Sequence, residues 1–201
     1  MNTHYMMPVY QYLTQTLLRL TGLKPELTNV IDLGGGHGLW LSYLLEHGFR
    51  SGKLVDCDPE SVRIASALLA EDFASERWQA IQADVCDIPV ANGEFDLVIS
   101  RSSMHIWPDL PAAWHEISRI TQPGAYVFVG RGFGPDLPDD VRRVVKAAKY
   151  QDLYEGEATA HCEPASLSSE ELSKIAENAG FSTVAVVPDH KAYWLLAQKT
   201  N

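Results

Sequence analysis

The segment Val30-Ile31-Asp32-Leu33-Gly34-Gly35-Gly36-His37-Gly38 holds the densest chemical information in the chain. An apolar run breaks directly into glycines, and a helical pattern follows from Leu39 to Glu46. Glycines in such a turn let backbone approach a ligand closely, and the helix beyond opens with N–H groups that have no partner inside it. The spacing Gly34-x-Gly36-x-Gly38 departs from the G-x-G-x-x-G of dinucleotide sites, and no Gly-Lys-Ser/Thr follows. Asp56 stands at the end of the next apolar run, Lys53 to Cys57, and Asp84 ends the one after it, Trp78 to Ala83. Ligands of open α/β sheets bind outside the carboxyl ends of the strands. A carboxylate such as Asp56 can accept both hydroxyls of a vicinal diol there, and Asp84 would border the base. With Asp32, Asp56 and Asp84 on the rim and no lysine in the glycine turn, the site suits a cationic ligand better than a pyrophosphate. S-adenosylmethionine, with an adenosine, a sulfonium, an amino-acid tail and no phosphate, has that chemistry.

A second reactive segment, Arg101-Ser102-Ser103-Met104-His105-Ile106-Trp107, follows the run Phe95 to Ser100. His105 is the candidate general base, since an unperturbed imidazole titrates near ~6.5; it could equally bond backbone and orient its loop. Arg101 could meet a carboxylate of cofactor or acceptor, or a nearby buried acid. Met104 and Trp107 could line an apolar pocket or pack in the core. Tyr5, Met6, Met7 and Tyr10 at the N-terminus, with Arg131, Phe133, Tyr150, Tyr154 and His161 further on, would make an aromatic enclosure suited to an uncharged or planar acceptor. His161-Cys162-Glu163, even taken with His105, Cys57 and Cys86, lacks metal-ligand spacing, so no metal is expected. Gly-x-Ser-x-Gly is absent as well.

These residues need a scaffold, and the apolar periodicity supplies one. Helical spacing spans Pro8–Leu20, Leu39–Glu46, Glu60–Glu71, Leu110–Ile120 and Ser168–Asn178, the last opened by a Ser168/Glu171 capping box. Strand-like runs cover 29–33, 53–57, 78–83, 95–100, 125–129, 181–187 and 192–197. Strands alternating with helices predict an α/β fold, a Rossmann-like doubly wound sheet that is mostly parallel. The last two runs, separated by Pro188-Asp189-His190-Lys191, predict a closing antiparallel hairpin in a seven-stranded sheet. Gln122-Pro123-Gly124 reads as the turn that ends a helix. Gly130 to Glu163 is long for a connection and reads as a partly helical cover, with a helix over 139–153.

At 201 residues, one domain is expected over 1–201, with a helical N-terminal cap at 1–25 and an active-site cover at 131–165. The content, 46% hydrophobic and 21% charged, fits a folded core. A net charge of -10 argues against broad nucleic-acid binding and against a polybasic grip on anionic lipid. Three scattered cysteines and no visible signal peptide or apolar span predict a cytoplasmic protein with reduced thiols and no stable membrane insertion. A homodimer is one assembly compatible with the chain.

Taken together, these segments resemble the class I S-adenosylmethionine-dependent methyltransferases, in particular the small-molecule group that includes the ubiquinone and menaquinone biosynthesis enzymes. Val30–Gly38 is similar to the family's first motif, Val55-Asp56-Cys57-Asp58-Pro59-Glu60 to its ribose segment, and Ala83-Asp84-Val85 to its adenine segment. Gln122-Pro123-Gly124-Ala125 resembles its Lys-Pro-Gly-Gly turn, and Leu167–Gly180 with Tyr193-Trp194 its closing helix and hairpin. Gly35 and His37 depart from the Cys and Pro common in the family. The resemblance implies S-adenosylmethionine as cofactor and methyl transfer to a small-molecule acceptor. It puts Asp32 and the backbone of Gly34, Gly35 and Gly36 by the methionine tail, Asp56 with Cys57 at the ribose, Asp84 and Val85 at the adenine, and Ser100 and Arg101 near the sulfonium. His105, with Arg101, would serve the chemistry. Methylation of a protein or nucleic acid, a non-catalytic cofactor-binding module, and an NAD-dependent dehydrogenase are the rival readings.

Overall fold

The computed structural model describes residues 4–155 and 167–200. Seven strands form one sheet: β1 (Asn29–Leu33), β2 (Ser51–Asp56), β3 (Trp78–Gln82), β4 (Phe95–Arg101), β5 (Thr121–Gly130), β6 (Phe181–Asp189) and β7 (Ala192–Lys199). Their order is β3-β2-β1-β4-β5-β7-β6. The ladders from β3 to β5 are parallel, and β7 runs antiparallel between β5 and β6. This is the doubly wound sheet with an antiparallel hairpin that the pattern predicts. The strand order reverses between β1 and β4, where a crevice opens at the carboxyl ends.

Side chains alternate along the strands and divide the apolar residues into two layers. On one face Val30, Leu54, Leu97, Ile99 and Phe128 pack with α1 (Met7–Thr21) and α2 (Leu39–Glu46). On the other, Ile31, Val55, Val98 and Val127 pack with α4 (Leu110–Ile120) and α6 (Ser169–Asn178). Two further helices, α3 (Pro59–Asp72) and α5 (Asp139–Glu155), contribute Ala65, Leu69 and Val145 to the first layer. Val9, Leu13 and Leu17 of α1 are fully buried, so the N-terminal helix is part of the core. Each such side chain contributes roughly 1.5–3 kcal/mol by burial.

The helices start where the sequence marks them. Asp58 caps α3 by accepting from the N–H groups of Glu60 and Ser61, Asp109 caps α4 through Ala112, and the capping box at Ser168 and Glu171 is formed.

Several element ends shift by one or two residues from the expected positions, and two turns differ in kind. Gln122-Pro123-Gly124 is not a turn outside the sheet, because β5 begins at Thr121 and pairing passes from Phe95–Thr121 to Leu97–Tyr126. The extra residues form a bulge around Gly124, whose φ is +81°. The final hairpin is tighter than the four-residue separator suggests, since Asp189 pairs with Ala192 and only His190 and Lys191 form the loop. His161, Cys162 and much of the expected cover lie outside the described residues.

Candidate functional site

The glycine turn is shaped by its neighbours. Gly34 and Gly36 have φ of +65° and +55°, conformations that favour glycine. A Cβ on Gly34 would stand 2.4 Å from the Cβ of Ser103, whereas one on Gly36 would meet nothing within 4 Å. Gly34 is therefore required by packing, and Gly36 faces open space. Ser103 lies under the turn because Ser102 turns the chain with φ of +60° just past β4. The Ser103 hydroxyl donates to the Leu33 carbonyl at 2.9 Å and shares a 2.6 Å hydrogen bond with Ser100.

Two cavities meet at Gly34. The first, about 300 Å³, is lined by Asp32, Gly34, Gly35 and Gly36 together with Tyr5, Met6, Tyr10, Trp40, Arg101 and Lys149. The second, about 230 Å³, is lined by Gly34, Asp56, Cys57, Asp84 and Val85 with Ser102, Ser103, Ile106, Trp107 and Pro108. The turn thus separates a partly aromatic chamber from a slot edged by two acids.

Asp32 is only 2% exposed. Burial pushes its carboxyl up to about 7, with Arg101 pulling it down and Asp56 adding a smaller upward push. Asp56 accepts the N–H of Gly36 at 2.9 Å on one oxygen and that of Asp58 at 3.0 Å on the other. Each oxygen keeps acceptor capacity toward the slot. Asp84, just beyond β3, accepts the N–H of Cys86 at 2.8 Å. Arg101 reaches the Gly132 carbonyl and lies 5.5 Å from the centre of the Tyr10 ring.

The structure brings together Asp32, Gly34, Gly35, Gly36 and Arg101 in one chamber, and Asp56, Cys57, Asp84 and Val85 in the other. Ser100 is fully buried and lines neither; it acts on the site through Ser103. His105 also lines neither of these cavities. Its Nδ1 is buried with no hydrogen-bond partner among the described residues, and burial, then the Arg131 charge, lower its pKa below the ordinary histidine value.

Lys149 is a site residue that the motifs do not reveal. It follows Val141 and the buried Val145 at four-residue steps on α5, so a cation lies on the inward stripe of that helix. That periodicity is the one signal in the sequence that could have exposed it.

The donor set fits an adenosyl ligand with a cationic tail. Acids edge the diol end, a buried carboxylate lines the tail chamber, and an open glycine backbone joins them.

A methyltransferase domain description matches residues 4–186 of the chain. A malonyl-[acyl-carrier protein] O-methyltransferase of Hahella chejuensis is 39% identical over 97 residues, covering 48% of this chain and 33% of that protein. A human mitochondrial arginine-hydroxylase is 31% identical over 160 residues, covering 79% of this chain and 43% of that protein. The chain therefore spans a third to less than half of the length of these curated relatives. Among solved structures, a SAM-dependent methyltransferase from Aquifex aeolicus superposes with a TM-score of 0.69 at 20% identity, over 94% of this chain and 91% of that one. The [4+2]-cyclase SpnF does so with a TM-score of 0.68 at 17% identity, over 94% and 80%. Such likenesses establish the fold, which hosts more than one reaction.

Proposed function

The chain belongs to the methyltransferase domain family, and from that membership we propose that it transfers a methyl group from S-adenosylmethionine to a small-molecule acceptor. The observation that carries this reading is the pair of chambers meeting at Gly34, with acids on the rim and no cation in the glycine turn. When bound, S-adenosylmethionine supplies an electrophilic methyl group, so the protein has mainly to position and desolvate.

In this reading Asp56, held rigid by two backbone N–H groups, accepts the ribose hydroxyls, with Cys57 beside it. Asp84 accepts from the adenine amino group, and Val85 gives the ring an apolar surface. Asp32 faces the amino group of the tail and Arg101 its carboxylate, while the backbone at Gly34, Gly35 and Gly36 lets the tail approach. Ser100 is a positioning residue that fixes Ser103 beneath the turn. His105 stays neutral at pH 7 and is the group available to take a proton from an acceptor that arrives protonated.

A small acceptor is supported by the net charge of -10, which disfavours a nucleic-acid partner. O-methylation is the reaction in the names of two relatives, the malonyl-[acyl-carrier protein] enzyme and a fatty-acid O-methyltransferase of Mycolicibacterium smegmatis. We extend the proposal to a kinship with the ubiquinone and menaquinone group, on the resemblance of the sequence motifs alone.

Calorimetric titration tests the cofactor: S-adenosylmethionine and S-adenosylhomocysteine are expected to bind and NAD is not. Absence of binding by both adenosyl compounds would end this reading. Methyl-labelled cofactor in a cell extract then tests the acceptor, with label expected in a low-mass product. The arginine-hydroxylase relative motivates a second reading, a different reaction on the same scaffold, which would leave the label untransferred.

A further inference from the structure

The tail chamber lies beside a group of positive charges unusual in so acidic a chain. Arg101 enters from the end of β4, Arg131 from the loop after β5, and Lys149 from α5. Lys149 and Arg101 line the same chamber. The Lys149 ammonium lies 5.9 Å from the centre of the Phe133 ring, on the loop that carries Arg131. Burial, then the charges of Arg101 and Arg131, push the Lys149 amine below the ordinary lysine range. Arg131 also acts on His105 and borders a cavity of about 570 Å³ that Phe133 lines as well.

Two neighbouring basic side chains already face carboxylates. Arg142 pairs with the buried Asp189 at 2.9 Å, and His190 lies 3.8 Å from Asp139. Arg101 has Tyr10, the Gly132 carbonyl and the field of Asp32. Among the described residues, no carboxylate forms an ion pair with Arg131 or Lys149. Like charges brought together repel, and an anionic ligand relieves that repulsion.

We propose that the acceptor carries a carboxylate, gripped by Arg131 and Lys149 beside Phe133, between the tail chamber and the cavity that Arg131 borders. The guanidinium fork of Arg131 suits a planar carboxylate, Lys149 adds a point charge, and Phe133 offers an apolar surface to the rest of the molecule. This replaces the uncharged acceptor that the aromatic residues alone suggest, and it rests on the methyltransferase reading above.

The test uses the full chain saturated with S-adenosylhomocysteine, whose own binding is measured first. Octanoate and benzoate are titrated against octanamide and benzamide at fixed ionic strength, by calorimetry and by thermal shift. At least one carboxylate is expected to bind about tenfold or more tighter than its amide, the scale of a hydrogen bond to a charged group. Arg131→Gln and Lys149→Gln should each reduce that preference several-fold, and Arg131→Gln should leave S-adenosylhomocysteine affinity unchanged. Arg131→Lys, which keeps the charge, should retain part of the preference and controls for misfolding. Equal binding of acid and amide, or a preference that survives the double Gln variant, overturns the proposal while the methyltransferase reading stands. Failure of S-adenosylhomocysteine to bind overturns both.

Discussion

Asp56 accepts the backbone N–H of Gly36 at 2.9 Å, tying the end of β2 to the turn that follows β1. The carboxylate assigned to the ribose therefore also holds the glycine backbone in its ligand-facing shape. Asp56→Ala should weaken S-adenosylmethionine binding roughly tenfold to a hundredfold, the range for losing charge-assisted hydrogen bonds. Asp56→Asn, which keeps one acceptor oxygen, should fall between. Calorimetry checks both, and unchanged affinity in the alanine variant removes the ribose role.

Asp32 predicts opposite pH responses for stability and for binding. Its carboxyl is raised from 3.8 to about 7 in the folded chain. Between those values the native state holds a proton that the unfolded chain has lost, so stability from this group falls as pH rises and the penalty is complete above about 7. Asp32→Asn should thus raise Tm at pH 8, by about 2–4 °C for each kcal/mol recovered, with little change at pH 4. Binding of the cationic tail needs the ionised form, so wild-type affinity should improve as pH rises from about 6 to 7.5, by up to about tenfold. The Asn variant should bind weakly with a flat profile. A wild-type affinity independent of pH contradicts the placement.

Gly36→Val separates folding from binding. The added side chain enters open space, and its left-handed backbone costs on the order of 1–3 kcal/mol. A cooperative melt at reduced Tm is expected together with loss of cofactor binding. Near-normal affinity means that the ligand does not lie over this turn.

His105→Ala should lower turnover while sparing cofactor affinity. Because burial and Arg131 hold the imidazole below its usual range, the wild-type rate should rise through an inflection under pH 6.5 and then stay level. Arg131→Gln should move that inflection upward. A full-speed alanine variant removes the base assignment.

Asp189 joins distant parts of the fold. One oxygen accepts from the N–H of Gly134 at 2.7 Å and the indole of Trp194 at 3.1 Å, and the other pairs with Arg142. Asp189→Ala leaves a partly buried guanidinium unpaired and should cost about 3–5 kcal/mol, measured by urea unfolding.

Most of the scaffold was legible because its strands and helices have clean periods and their glycines and aspartates mark the ends. The start of β5 was not, since Pro123-Gly124 reads locally as a turn while the sheet absorbs it as a bulge. Asp32, Asp56, Asp84 and the glycine turn were legible because each stands at or near a strand end. Lys149 was not, because it is more than a hundred residues from the glycine turn and only the packing of α5 brings it to the chamber. Ser103 likewise gains its importance from a close approach to Gly34 that depends on the backbone at Ser102.

The bond from Gly134 to Asp189 spans 55 positions in the chain. The loop carrying Arg131 is therefore secured by the hairpin, a contact that forms late where local structure folds first. The adenine slot is closed by a still longer contact, the bond from Ser103 to Leu33 across 70 positions. Both halves of the site therefore wait on contacts between distant parts of the chain, and amide exchange at Gly134 reports when the Arg131 loop is secured.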